Sequence, residues 1–449
     1  MHDTIAAIST AFGEAAIALI RLSGPRAVEI ADSVFQSKKR AEDLPARFAQ
    51  FGAIVDGAHR LDDVLLTVFR APASYTGEDV VEMSCHGGVL VSRRILELLL
   101  RSGARSAEPG EFTQRAFLNG KLDLTQAEAV MDVITAQTDL ALRAATEQLE
   151  GRLGERIRAL KQSVLGILAH VEAFIDFPDE DIDPDTGELL RSRIDAAIAD
   201  VDALLATAGQ GRVLREGVRT VLCGAPNVGK SSLLNLLLGY ERAIVSHHPG
   251  TTRDVIEETI NVRGLPVRLM DTAGLRESAD EVEQAGMERT RRAMAQADLV
   301  LHVAEAPVAP LDQFSGMALE SFAGAPRTLL VLNKCDLGEH KGWRTVEAVR
   351  ISCATGAGMD SLTAAVEAKV LGGSARSDWG VAINARHQTR LEAAREFLRA
   401  ARKTMDDGMS PEFTAEELRS AMDAIGDIVG RPDTEELLGM IFGQFCIGK

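Results

Sequence analysis

The stretch Gly224-Ala-Pro-Asn-Val-Gly229-Lys230-Ser231 puts two glycines, an ammonium and a hydroxyl at the spacing that cradles a polyphosphate. The glycines let backbone N–H groups converge on phosphate oxygens. Lys230 is the charge for the β- and γ-phosphates, and Ser231 offers a hydroxyl to Mg²⁺. Further along, Asp271-Thr272-Ala273-Gly274 pairs a carboxylate suited to the magnesium shell with a glycine amide that can sense the γ-phosphate. Asn333-Lys334-Cys335-Asp336 then supplies a carboxylate for the N1–H and 2-amino donors of guanine. Adenine offers neither donor there and would leave Asp336 unpaired, so the pattern selects guanine. Ser352-Cys353-Ala354 follows, where a backbone amide meets guanine O6. Together these motifs imply GTP binding and hydrolysis. Leu275 stands where Ras-like enzymes place a water-orienting glutamine, so hydrolysis needs another group.

The elements that must position these loops are legible around them. Val218-Arg-Thr-Val-Leu-Cys223 reads as a strand running into the phosphate loop, and Ser232-Leu-Leu-Asn-Leu-Leu-Leu as the helix after it. Val267–Met270 and Thr328–Asn333 read as strands leading into the later motifs, and Ile351–Ala354 as the end of another. Strands alternating with helices from 218 to 370 imply a parallel sheet. Before this block the chain is helical from 124 to 208, with Thr125 as the expected N-cap, a stop at Pro178, and an acidic loop from Asp176 to Pro184. After it, helices are expected over 384–404, 415–428 and 435–442, so the α/β block reads as inserted into a helical domain. The first 119 residues mix strands such as 17–22 and 64–69 with a helix over 89–100, as in an α+β or α/β domain.

A net charge of −17 over 449 residues argues against nonspecific nucleic-acid binding, because phosphates would be repelled. Any RNA contact then needs a local basic patch or a partner's surface. Five cysteines without a Cys-x-x-Cys pair fit reduced thiols in a cytoplasm. No apolar run reaches membrane-spanning length, and the start lacks the basic residues of a secretory signal.

The flanks carry a resemblance. Gly13-Glu-Ala-Ala-Ile-Ala-Leu-Ile-Arg21-Leu-Ser-Gly24, Tyr75-Thr-Gly-Glu-Asp-Val80, Cys85-His-Gly-Gly88 and Pro109-Gly-Glu-Phe112 resemble the MnmE (TrmE) tRNA-modification GTPases. So do Arg115–Asn119, Lys121–Ala129, Ile175–Glu180, Gly250-Thr-Thr-Arg-Asp254 and Phe445-Cys-Ile-Gly-Lys449. The resemblance runs from end to end. It implies a multidomain α/β plus all-α protein: an N-terminal α+β folate-binding and dimerisation domain (1–118), a discontinuous helical domain (119–212 and 376–449), and an inserted Ras-like P-loop G domain (213–375). It also implies a cytoplasmic homodimer that forms a heterotetramer with the flavoprotein MnmG, with tRNA held largely through that partner. The pair would add an aminomethyl or carboxymethylaminomethyl group to carbon 5 of the tRNA wobble uridine, with a tetrahydrofolate supplying the one-carbon unit.

Residue by residue, the resemblance assigns Arg21, Glu82, Lys121 and Lys449 to 5-formyl-tetrahydrofolate. The nucleotide set is Asn227, Val228, Gly229, Lys230, Ser231 and Ser232, joined by Ser246, His247, His248, Pro249, Gly250, Thr251 and Thr252, and by the Asp271, Asn333 and Ser352 loops. Ser231 and Thr252 match magnesium ligands. Asn227, Ser246, His248 and Thr251 match a potassium site, which implies K⁺-stimulated hydrolysis as two G domains pair. Glu283 matches the catalytic glutamate, and Cys446 a thiol acting in tRNA modification. Two departures stand out: Cys353-Ala354 where relatives carry an alanine and a basic residue, and His247-His248-Pro249 in the potassium loop. Phe445 and Ile447 are expected to anchor the tail around Cys446. A competing class is a non-catalytic GTPase switch in ribosome assembly, which calls for a basic RNA-binding module that the sequence does not display. A prenylation box at Cys446 is disfavoured by the glycine and the lysine that follow.

Overall fold

The computed structural model describes residues 3–176, 186–240, 258–270, 294, 296–313, 327–371, 381–430, 435–443 and 445–449. They fall into two compact units, residues 1–131 with 426–449, and residues 132–425.

The first unit is built on a seven-stranded mixed sheet. Its strands are β1 (Ile5–Ile8), β2 (Ile17–Ser23), β3 (Phe35–Gln36), β4 (Ala49–Asp56), β5 (His59–Phe69), β6 (Val80–His86) and β7 (Arg105–Ser106), in the order β3-β4-β5-β6-β2-β1-β7. Helices α1 (Ala27–Val34) and α2 (Val89–Arg101) cover one face. Ile30, Ala31, Ile95 and Leu99 pack there on Ile20, Leu22, Leu66, Val81 and Met83, and the alternation along each strand assigns these residues to the core. Phe51 and Leu65, cross-strand partners, are instead 61% and 48% exposed. Helix α3 (Glu111–Leu118) and α4 (Leu124–Thr135) follow. The N-cap of α4 is Asp123 and not Thr125: its carboxylate accepts from the backbone N–H of Gln126 at 3.0 Å, and the Gln126 side chain accepts in return from Asp123 N. Aspartate, three residues ahead of a glutamine, completes a reciprocal box that Thr125 cannot form from inside the helix.

The second unit holds the long helices α5 (Asp139–Leu149), α6 (Arg152–Asp176), α7 (Thr186–Leu205) and α8 (Ala208–Glu216). A six-stranded sheet follows, made of β8 (Val218–Cys223), β9 (Glu258–Val262), β10 (Leu265–Leu269), β11 (Leu299–Glu305), β12 (Thr328–Asn333) and β13 (Val349–Arg350). Its order is β13-β12-β11-β8-β10-β9, and only β9 runs antiparallel to its neighbour. Strands β8, β11 and β12 are buried almost end to end, the mark of parallel strands covered on both faces. Among the described residues, the helices of this part are α9 (Lys230–Tyr240), α10 (Pro310–Gln313) and α11 (Met359–Leu371). Strand β13 stops at Arg350, so Ile351–Ala354 forms a loop beyond the strand and not its last residues.

Helix α12 (Ala385–Asp406) starts at an Asn384–His387 capping box and lies antiparallel to α7, joined by Arg395–Asp202, Arg402–Asp195 and Arg191–Asp406 ion pairs. Helices α13 (Pro411–Val429) and α14 (Glu435–Phe442) complete the described elements. Thus helices flank the parallel sheet in sequence on both sides. No helix among the described residues is long and apolar enough to cross a membrane.

Candidate functional site: a nucleotide cradle and a second polar cluster

Strand β8 delivers the phosphate loop to the carboxyl edge of the sheet, where open α/β folds bind ligands. Gly224 leaves the strand with φ +140°, and a Cβ there would lie 2.1 Å from the carbonyl oxygen of Val303 on β11. Asn227 and Gly229 take φ of +65° and +97°, folding successive N–H groups into one concavity. Helix α9 then begins at Lys230, so its unpaired N-terminal N–H groups and partial positive charge add to the same place. The Lys230 ammonium donates to the carbonyls of Gly224 (3.0 Å) and Ala225 (2.8 Å). Burial lowers its pKa. Val228 is buried as the anchor of the loop, while Ser231 and Ser232 are exposed in the first turn of α9. The glycine cradle, the ammonium and the exposed Ser231 hydroxyl fit a magnesium-bound nucleoside polyphosphate.

Asn333, at the end of β12 and 2% exposed, ties the remaining parts together. Its Nδ2 donates to the Val228 carbonyl at 2.9 Å, and its Oδ1 accepts from Cys353 N at 3.0 Å. One side chain therefore ties the phosphate loop, the turn that begins at Asn333 and the Ser352 loop together. Lys334 reverses the chain with φ +63° and donates to the Asn227 carbonyl at 3.0 Å. The following turn leaves Asp336 exposed. Buried Ser352 takes Thr355 N on its Oγ, half-buried Cys353 has its thiol pKa raised by burial, and Ala354 is exposed. Ser246, His247, His248, Pro249, Gly250, Thr251 and Thr252 lie outside the described residues, as do Asp271, Thr272, Ala273, Gly274 and Glu283.

Two residues here belong to no sequence motif. His302, the cross-strand partner of Cys223, is buried with Nδ1 3.4 Å from the Cys223 sulfur. Burial, and then the Lys230 charge, push its pKa down to about 4, so the ring is neutral under the ammonium. Burial pushes the Cys223 thiol up to about 11. A lone histidine within the apolar run Leu299–Ala304 was the available signal. Glu305, the second, closes the same strand.

In the first unit Arg21 and Glu82 are cross-strand partners on β2 and β6, joined by hydrogen bonds of 2.9 and 2.7 Å. The Arg21 guanidinium stands 5.5 Å from the ring centre of Tyr75 and 5.6 Å from that of Phe112. Lys121 donates to the carbonyl of Pro72 at 3.1 Å, at the base of the loop that carries Tyr75. The tail docks on the same cluster: Phe112 N donates to the Lys449 carbonyl, Ser9 Oγ to that of Gly448, and Ile447 bridges Pro109. Arg21, Glu82, Tyr75, Phe112 and the Lys449 backbone are thus brought together. Tyr75 and Phe112 were visible only as parts of motifs. Arg115, fully buried beneath, holds Asp3, Glu78 and Glu111. Phe445 is buried as expected of an anchor, but Ile447 is 58% exposed: with Ile447 paired to Pro109 through its backbone, the side chain turns out. Cys446 is exposed.

With this geometry in hand, the family descriptions "GTP-binding protein TrmE N-terminus" and "MnmE helical domain" match residues 4–121 and 124–446. The tRNA modification GTPase MnmE of Akkermansia muciniphila is 53% identical over 450 residues, 99% of each chain. That of Moorella thermoacetica is 47% identical over all of both chains, and that of Geobacillus thermodenitrificans 45% over 100% of this chain and 99% of the relative. Similarity of this depth across both units leaves one conclusion: the chain belongs to the MnmE family of tRNA modification GTPases.

Proposed function

We propose that this chain hydrolyses GTP in the cradle between Gly224 and Cys353 and couples that cycle to modification of the tRNA wobble uridine. The observation that carries the GTP reading is the Asn333 side chain, which joins the phosphate loop to the guanine-selecting turn. On this reading Lys230 leaves its two carbonyls for the β- and γ-phosphates, Ser231 with Thr252 holds Mg²⁺, and Asp336 reads the guanine edge. Magnesium supplies charge neutralisation between the phosphates. Asn227, with Ser246, His248 and Thr251, holds K⁺, and Glu283 positions the attacking water. Hydrolysis is then faster in KCl than in matched NaCl, and equal rates count against the potassium site.

The polar cluster around Arg21 is the proposed tetrahydrofolate site. A cation in contact with two aromatic rings, beside a carboxylate, offers stacking and complementary hydrogen bonds to a pterin and its acidic tail. Domain limits of 1–118, 119–212 with 376–449, and 213–375 go with this assignment. The exposed Phe51–Leu65 pair, on the sheet face opposite α1 and α2, supports homodimerisation through the N-terminal domain. MnmG is the proposed flavoprotein partner in a cytoplasmic heterotetramer, where it carries most of the tRNA contact that a net charge of −17 disfavours here. Mass spectrometry of tRNA nucleosides from cells lacking the protein tests the whole reading. Loss of the wobble-uridine side chain is expected; an unchanged nucleoside profile with defective ribosomes would instead mark an assembly switch.

A further inference from the structure

Glu305 sits at the carboxyl end of β11, outside every nucleotide motif. Its carboxylate accepts a hydrogen bond from the same Lys334 ammonium that donates to the Asn227 carbonyl. We infer that Glu305 is a positioning residue for guanine-nucleotide binding, aiming the Lys334 ammonium so that it ties the guanine-selecting turn to the phosphate loop at Asn227. The inference rests on this cradle being the guanine-nucleotide site.

The placement of Glu305 is fixed from three sides. Its backbone is the cross-strand partner of Asn333, and the next amide, Ala306 N, donates to the Asn333 carbonyl at 2.8 Å. The Gln313 side chain clamps it from α10, accepting from Glu305 N at 2.7 Å and donating to Glu305 O at 2.9 Å. The carboxylate therefore leaves a rigid point, and only 20% of the side chain is exposed. The ammonium it meets is in turn held between a full negative charge and a carbonyl, which is the stronger, charge-assisted kind of bond.

The bond matters because of what lies at its two ends. Lys334 and Asn227 both adopt left-handed backbone conformations, at φ +63° and +65°, without the freedom of glycine. Each turn shapes one wall of the cradle, and the Lys334–Asn227 bond braces the two strained turns against each other. Without the Glu305 charge the half-buried ammonium loses its counter-ion and swings to water, releasing the Asn227 carbonyl. The base wall and the phosphate wall then fluctuate independently, which speeds nucleotide release.

The test uses the full chain and fluorescent mant-GDP, with stopped-flow dissociation and steady-state GTP turnover. Glu305→Gln is expected to weaken mant-GDP about tenfold, mainly through faster dissociation. Its KM for GTP should rise by more than its kcat falls. In a Lys334→Met background, which keeps the stem and removes the ammonium, adding Glu305→Gln should cost less than about twofold. Melting of the nucleotide-free proteins checks folding. If the Gln variant does not fold, Glu305→Asp replaces it and should weaken binding only when Lys334 is present. Wild-type affinity in a folded Glu305 variant overturns the inference, as does an undiminished loss in the Lys334→Met background. Failure of the wild-type chain to prefer mant-GDP over mant-ADP would overturn the nucleotide reading itself, a separable result.

Discussion

Gly229 and Asn333 approach so closely that no larger residue fits: a Cβ on Gly229 would lie 2.2 Å from the Asn333 amide nitrogen. The backbone of Gly229, at φ +97°, is also one that L side chains rarely adopt. Gly229→Ala should therefore displace the side chain that links three loops, and lower mant-GDP affinity by roughly 10- to 100-fold, the equivalent of one strained backbone position. Fluorescence titration measures it. Near-normal binding would mean that Asn333 is not the organising link.

Asp336→Asn should invert base preference. In the proposed site the exposed carboxylate would take two guanine donors, whereas an amide can donate to the 2-oxo group of xanthine. GDP should bind on the order of 100-fold more weakly, with XDP gaining, when both compete against mant-GDP. Parallel loss of both nucleotides would show a folding defect and not a change of recognition.

His302 predicts a pH dependence. Its folded pKa, held down to about 4 by burial and then by Lys230, lies below the ordinary value near 6.5. The unfolded chain binds the proton first, so this contribution to stability is complete above pH 6.5 and declines as the pH falls towards 4. The size is about 3 kcal/mol at most. Urea unfolding at pH 7.5 and 4.5 compares the wild type with His302→Gln; Cys223 and Lys230, two titratable neighbours, are common to both. The variant should lose less stability across that interval. Identical losses would place the ring's titration elsewhere.

Cys446→Ser separates chemistry from packing. The side chain is exposed while Phe445 beside it is buried, so the substitution removes little packing. Melting temperature and GTP turnover should stay close to wild type, while tRNA modification falls by at least about 100-fold if the thiol reacts. Normal modification by the serine variant would end the proposal of a reacting thiol.

Most elements around the nucleotide cradle were legible because the motifs obey local rules: a strand of apolar residues, glycines where the backbone must turn, a helix immediately after. Thr125 and Asp123 both offer a side-chain oxygen near the start of α4, and only the reciprocal Asp123–Gln126 pair decides for Asp123 as the cap. Glu305 escaped notice for a different reason. Its partner Lys334 is 29 residues away, and only the parallel pairing of β11 with β12 brings them together. Likewise, Tyr75 and Phe112 become partners of Arg21 through tertiary contacts that no periodicity announces. The exposed Ile447 shows the limit of reading apolar residues as anchors, since a backbone pairing can decide the outcome instead.

The antiparallel pairing of α7 with α12 has a consequence for how the chain is made. Leu190, Ile194, Val201 and Leu204 of α7 are buried in the finished protein, yet the partner helix begins only at Ala385. At ordinary rates of synthesis the ribosome needs about 10–40 s to traverse the intervening sheet. For that interval α7 has α6 beside it, but the part of its apolar stripe that α12 covers in the finished protein stays open. The nascent chain is then most exposed to aggregation and to chaperone capture, and slowing translation within the 206–384 stretch should lower the yield of soluble protein more than slowing it after Asp406.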